Sequence, residues 1–243
     1  MTNVVRVAMW SGPRNISTAM MRAWENRPDT VVVDEPLYAA YLARTGIDHP
    51  VRDEVIASQP TDLATAVAGL SAPLPPGRSL HYAKHMAHHL PEDMDLGWTL
   101  GFRNVLLIRD PVEVVASYVR ARETCEPDDI GLRQQERLIA LWEEQGAEVP
   151  IIDAGDFLRA PEPHLRWLCD WLDVPFSDRM LSWPEGPRAS DGVWAPHWYE
   201  AVWSSTGFKP WRPRETNLSD HDAAVAEACR PIYEALHARR VRV

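Results

Sequence analysis

Five short apolar runs punctuate the chain at 4–9, 30–33, 80–84, 105–109 and 150–153, and the stretches between them carry apolar residues at helical spacing. Near-continuous apolar strands alternating with amphipathic helices are the pattern of a parallel sheet covered on both faces. The pattern therefore predicts an α/β fold, one domain over 1–243, with a parallel sheet of about five strands flanked by helices. From Trp167 onward the chain holds seven of its eleven tryptophans. They predict a Trp-rich helical C-terminal part, whose rings either pack a helical cap on the sheet or wall a ligand pocket.

Two junctions between elements carry candidate chemistry. After the first run, Ser11-Gly12-Pro13-Arg14-Asn15 reads as a tight turn, and Ile16-Ser17-Thr18-Ala19-Met20 opens a helix. Such a turn aims free backbone N–H groups and the positive end of the helix dipole at one point, with Arg14, Ser17 and Thr18 adding charge and hydroxyl donors. An ordinary turn capped by Ser11 or Asn15 is the competing account. Walker-type phosphate loops need a second glycine and a lysine that this segment lacks, which weakens a kinase reading. At the second junction the strand 105–109 ends in Arg109-Asp110-Pro111, with proline at the first position of a helix and Ser117 about two turns in. Open parallel sheets bind ligands at the C-terminal ends of their strands, so Arg109 and Ser117 are placed to clamp an anionic group.

The segment Ser11-Gly12-Pro13-Arg14-Asn15-Ile16-Ser17-Thr18 resembles the 5′-phosphosulfate loop of sulfotransferases that use 3′-phosphoadenosine 5′-phosphosulfate (PAPS). Arg109, the proline two residues on and Ser117 eight residues after the arginine resemble that family's 3′-phosphate motif in full register. The resemblance implies a P-loop-type sheet, PAPS as sulfuryl donor with PAP as product, and no metal. It implies Gly12, Pro13, Arg14, Asn15, Ile16, Ser17 and Thr18 as the loop, with Arg14 in place of the loop lysine, and Arg109 with Ser117 as the 3′-phosphate clamp. Ile16 stands where the family usually has glycine, and Ala19 where it often has tryptophan. For the third family segment, a basic glycine loop, only Ser204–Lys209 with Arg212 and Arg214 is a candidate.

Sulfuryl transfer needs an acceptor base and charge to stabilise the leaving phosphate. Of 25 Lys and Arg residues only Lys84 and Lys209 are lysines, and Lys84 ends a predicted strand where a ligand-facing residue belongs. In Lys84-His85-Met86-Ala87-His88-His89 the order resembles the family's lysine-x-histidine segment with altered histidine spacing. Glu35, after the second run, should project toward the same sheet edge as the loop, as a catalytic glutamate does in several sulfotransferase branches. Histidine competes as base because its pKa lies near neutrality. His85 and His89 share a helix face if the segment is helical, a spacing that also permits a metal pair, but the accompanying glutamate of H-E-x-x-H is missing.

The remaining composition narrows the partners. A net charge of −10 argues against nucleic acid and anionic membranes. No run approaches the roughly 20 apolar residues of a membrane span, and the first apolar run belongs to a strand rather than a leader, which together predict a cytoplasmic protein. Three cysteines without C-x-x-C pairing read as buried free thiols. The expectation is a PAPS-dependent sulfotransferase acting on a hydroxyl or amine of a small molecule. A P-loop kinase using ATP-Mg and a non-catalytic nucleotide-binding protein are the alternatives.

Overall fold

The computed structural model describes residues 4–120, 124–213 and 216–243. Five parallel strands, β1 (Val5–Ser11), β2 (Thr30–Asp34), β3 (Leu80–Met86), β4 (Arg103–Ile108) and β5 (Ile151–Asp153), form one sheet in the order β2-β3-β1-β4-β5. The sheet is flanked by helices, the α/β fold that the pattern of apolar runs predicts.

Alternation along the strands sorts the core onto two faces. Val7 and Met9 of β1, Tyr82 of β3 and Val105 and Leu107 of β4 face α1 (Ser17–Glu25) and, later in the chain, α7 (Ala154–Arg159) and α8 (Pro161–Trp171). Ala8, Trp10, Leu106 and Ile108 face α5 (Pro111–Tyr118), α6 (Leu132–Glu144) and α11 (Asp220–Ala238). A third cluster lies beyond the β2 edge, where α2 (Tyr38–Thr45) and α3 (Arg52–Ser58) pack against Trp194, Ala195 and Tyr199 around the short helix α9 (Ala195–Trp198). The other helices are α4 (Leu63–Leu70) and α10 (Glu200–Trp203). Cys125, Cys169 and Cys229 are buried free thiols. No helix among the described residues is long and apolar enough to cross a membrane.

The chain leaves β1 toward β2 and leaves β4 toward β5, so connections from these adjacent strands diverge and open a crevice at their C-terminal ends. The two sequence motifs are the two lips of that crevice. Gly12 is obligatory in the first lip, because a Cβ there would lie 2.2 Å from the carbonyl oxygen of Ile130.

The segment carrying the histidines departs from expectation. His85 lies within β3, which runs on to Met86, and His89 closes a single 3₁₀ turn over Ala87–His89. The two therefore do not share a helix face. Residues 80–86 pair with β1, and 80–84 with β2 as well, and that pairing overrides the local spacing that also fits a helix.

Candidate active site

The loop after β1 is held by its own side chains. The Asn15 carboxamide accepts from the Ile16 N–H at 2.8 Å and donates to the Leu107 carbonyl at 3.1 Å, tying the loop to β4. No side chain caps α1, and Ser11 Oγ has no partner, so the first-turn N–H groups beside Ser17 and Thr18 are not consumed by a cap. Arg14 takes a left-handed backbone with φ 53°, a conformation costly for a residue with a side chain. Its carbonyl accepts from Arg109 Nη1 at 2.7 Å, and its Nε donates to Ser117 Oγ at 3.0 Å. Arg14 thus joins Arg109 to Ser117. Burial, then the charges of Arg109 and Arg120, lower the Arg14 pKa. Cations pressed together in this way are what an anion relieves.

Opposite the loop lies a buried cluster of charge. Lys84, 1% exposed, donates to Asp34 Oδ1 at 2.8 Å, Glu35 Oε1 at 2.5 Å and the Tyr199 hydroxyl at 2.6 Å, which commits all three of its N–H bonds. Contact between Lys84 and a leaving oxygen would require one of these bonds to open. The Tyr199 hydroxyl donates to Asp34 Oδ2 at 2.7 Å and accepts from Trp194 Nε1 at 3.1 Å. Burial raises the Glu35 pKa, and Asp34 reinforces the rise against the opposing pull of Lys84. The Lys84 pKa is raised as well: burial pulls it down, and the two carboxylates outweigh that. Glu35, like Arg14, sits at positive φ, 42°, and its backbone is fixed by Lys84 and Gln59.

The histidines separate. His85 stacks on Trp10 with centroids 4.1 Å apart on the α5/α6 face, and burial pushes its pKa down to about 3. It does not line the cavity that Glu35 and Lys84 share. His89 does line it, stacked between Tyr38 and Tyr41 with Nε2 4.0 Å from Glu35 Oε2. Burial and the neighbouring His88 hold its pKa well below the usual histidine value.

A cavity of about 110 Å³ brings Pro13, Arg14, Ser17 and Thr18 together with Glu35, Lys84 and His89. A second space, a groove of about 630 Å³, is lined by Arg109, Ile16 and Ala19 together with Gly207, Phe208, Lys209, Trp211 and Arg212. The candidate basic segment thus reaches the side of Arg109; Arg214 lies outside the described residues. The C-terminal tryptophans do both jobs open to them. Trp183 and Trp194 are core, whereas Trp198 lines the cavity and Trp211 the groove.

Sequence reasoning misses Asp34 and Tyr199. Asp34 carries a visible signal, a polar end on an apolar strand immediately before Glu35. Tyr199 has none, since 115 residues separate it from Lys84. One further group, Asp153, Asp156 and His237, has ligand-type atoms within 4.8 Å of one another. Its carboxylates are already engaged: Asp153 caps α7 and accepts from Tyr233, and Asp156 pairs with Arg240.

A family model described as a sulfotransferase domain matches residues 5–240. This chain belongs to the sulfotransferase domain family. The domain is 36% and 35% identical to two Arabidopsis thaliana proteins called branched-chain-amino-acid aminotransferase-like proteins 1 and 2, over 93% of its own length. It spans only 40% of the length of each. Among solved structures, it shares its fold with the sulfotransferase domain of the Synechococcus PCC 7002 olefin synthase (TM-score 0.53, 16% identity, covering 94% of this chain and 95% of that one). The sulfotransferase domain of the curacin biosynthetic pathway is similar too (TM-score 0.55, 16% identity, 94% and 98%). So is the sulfotransferase of Alicyclobacillus acidocaldarius (TM-score 0.54, 12% identity, 98% and 97%). At these identities the likeness concerns the fold.

Proposed function

We propose that this sulfotransferase domain takes PAPS as donor and moves its sulfuryl group to a hydroxyl or amine of a small-molecule acceptor, with Glu35 as the base. The observation that carries the reading is the lining of one cavity. Arg14, Ser17 and Thr18, suited to a sulfonate, line it together with Glu35, while Arg109 lines the groove with Ile16 of the same loop. A donor with its sulfonate at the loop and its nucleoside in the groove spans both spaces. Uncapped N–H groups and Arg14 stabilise charge developing on the sulfonate in the transition state. Arg109 and Ser117 hold the 3′-phosphate, and Phe208 and Trp211 give the base a wall that Ala19 does not supply. Lys84 fixes Glu35 through Oε1 and leaves Oε2 toward the acceptor. The raised Glu35 pKa makes it a stronger base than an ordinary carboxylate.

Titration calorimetry with PAP, AMP and ATP-Mg tests the donor. PAP should bind about 100-fold more tightly than AMP, because the charge-assisted contacts to a 3′-phosphate have no partner in AMP. Equal affinity for the two, or preference for ATP-Mg, overturns the reading in favour of a nucleotide-binding protein or a kinase.

A further inference from the structure

Glu35 Oε2 and His89 Nε2 stand 4.0 Å apart, with side chains 10% and 2% exposed, on the wall of the cavity that also holds Arg14, Ser17 and Thr18. That separation is too long for a direct hydrogen bond and suits one oxygen within about 2.8 Å of each. The two groups are also complementary. Glu35 Oε1 is taken by Lys84 at 2.5 Å, which leaves Oε2 as an acceptor. His89 is kept neutral by burial, so one of its ring nitrogens donates and the other accepts. Its Nδ1 is buried without a partner, and stranding a bare acceptor there costs less than stranding an N–H. The proton therefore sits on Nε2, aimed at the gap. The ring cannot readily swing away, since Tyr38 stacks on it at 4.6 Å and Tyr41 at 4.8 Å.

The geometry points to a nucleophile seat between Glu35 Oε2 and His89 Nε2, built for an alcohol and unsuited to an amine. This rests on the proposed sulfuryl transfer and narrows its acceptor. A hydroxyl oxygen has one proton and two lone pairs. In the seat the proton points to Glu35, one lone pair accepts from His89 Nε2–H, and the other is left to attack sulfur. A neutral amine has a single lone pair, and accepting from His89 removes the one it needs. In the transfer the acceptor O–H bond breaks and its proton passes to Glu35 Oε2. The oxygen–sulfur bond forms as the sulfur–oxygen bond to the 5′-phosphate breaks, and that electron pair leaves on PAP. No oxidant or reductant is involved. His89 orients the oxygen and supplies no proton, so it acts alongside Glu35 rather than as an alternative base.

Three measurements decide it. A crystal structure with PAP at a resolution that shows solvent should hold one ordered water within hydrogen-bond distance of both Glu35 Oε2 and His89 Nε2. A direct contact between the two side chains, or a gap without water, overturns the seat. Matched alcohol and amine acceptors, such as phenol with aniline and propanol with propylamine, offered with radiolabelled PAPS should yield sulfated alcohols. An amine sulfated as fast as its matched alcohol overturns the selectivity. With any acceptor so found, His89→Leu should lower kcat roughly 100-fold, a typical loss for an oriented hydrogen-bond donor. His89→Gln, which keeps an N–H on a side chain of similar reach, should recover most of it. Wild-type rates in His89→Leu, or no recovery in His89→Gln while PAP affinity is intact, overturn the role of His89. Failure of the wild-type protein to bind PAP instead strikes the donor reading, which separates the two failures.

Discussion

The two sides of the cavity are built differently. The loop side comes from two strand-to-helix segments, 12–18 and 109–117, and its chemistry is cationic and local: Arg14, Arg109, Ser17, Thr18 and Ser117 all lie on the turn after a strand or on the helix that follows it. The carboxylate side draws Asp34 and Glu35 from the end of β2, Lys84 from β3, His89 from the turn beyond it and Tyr199 from the Trp-rich part, and packs them into a nearly dry cluster. Charges on the loop side keep contact with solvent. On the carboxylate side Asp34 and Glu35 depend on one ammonium. Substitutions on the first side should therefore change binding, and those on the second should change folding as well as turnover.

The largest effect should follow Lys84→Met. It leaves Asp34 and Glu35 buried without a counter-charge, and removing one partner of a buried ion pair costs about 3–5 kcal/mol. In a domain of this size that lowers Tm by on the order of 10 °C in calorimetry. An unchanged Tm would show that the carboxylate side is as tolerant as the loop side.

Arg109→Ala should leave Tm nearly unchanged. By calorimetry it should weaken PAP by about 100-fold, roughly 2.7 kcal/mol, with little effect on AMP. If it unfolds the protein instead, Arg109 is needed for its bonds to Arg14 and Glu113 rather than for a ligand.

A third test uses acid. His81 and His85 have pKa values pushed down to about 4 and about 3 by burial, and His89 is lowered as well. The unfolded chain takes up protons near pH 6.5 and the folded one resists until lower pH. Stability from these groups is thus complete above pH 6.5 and lost as pH falls toward 4. Glu35 acts in the opposite sense, since its raised pKa favours the folded state as pH falls, and it is one group against three. His85→Phe removes two unpartnered ring nitrogens from the Trp10 stack and should flatten the acid side of the stability curve in denaturant titrations. No change in slope would place the acid-sensitive groups elsewhere.

The smallest effect belongs to Ser117→Ala. It removes one acceptor of Arg14 Nε and one hydroxyl from the clamp, worth about 1 kcal/mol, so PAP should weaken about fivefold. A loss as large as that for Arg109→Ala would mean that Ser117 sets the position of Arg14.

By itself the sequence determined the strands and the two turns between strand and helix. Those signals are local: a run of apolar residues broken by Ser11-Gly12-Pro13, and a proline behind Arg109 that both ends a strand and opens a helix. Lys84 and Glu35 were legible as residues near strand ends; β3 runs two residues beyond Lys84, but β2 and β3 run parallel and pair Lys84 with Asp34, the last residue of β2, beside Glu35. Only the tertiary structure decided what those residues do to each other. The alternation of β3 turns His85 into the core against Trp10 while Lys84 faces the cavity, and the following turn carries His89 back to Glu35. Asp34 and Tyr199 complete the charge cluster through contacts 50 and 115 residues from Lys84. Such pairings are selected by burial, which forces each charge to find partners wherever the packed chain brings them, and no spacing along the sequence records that choice.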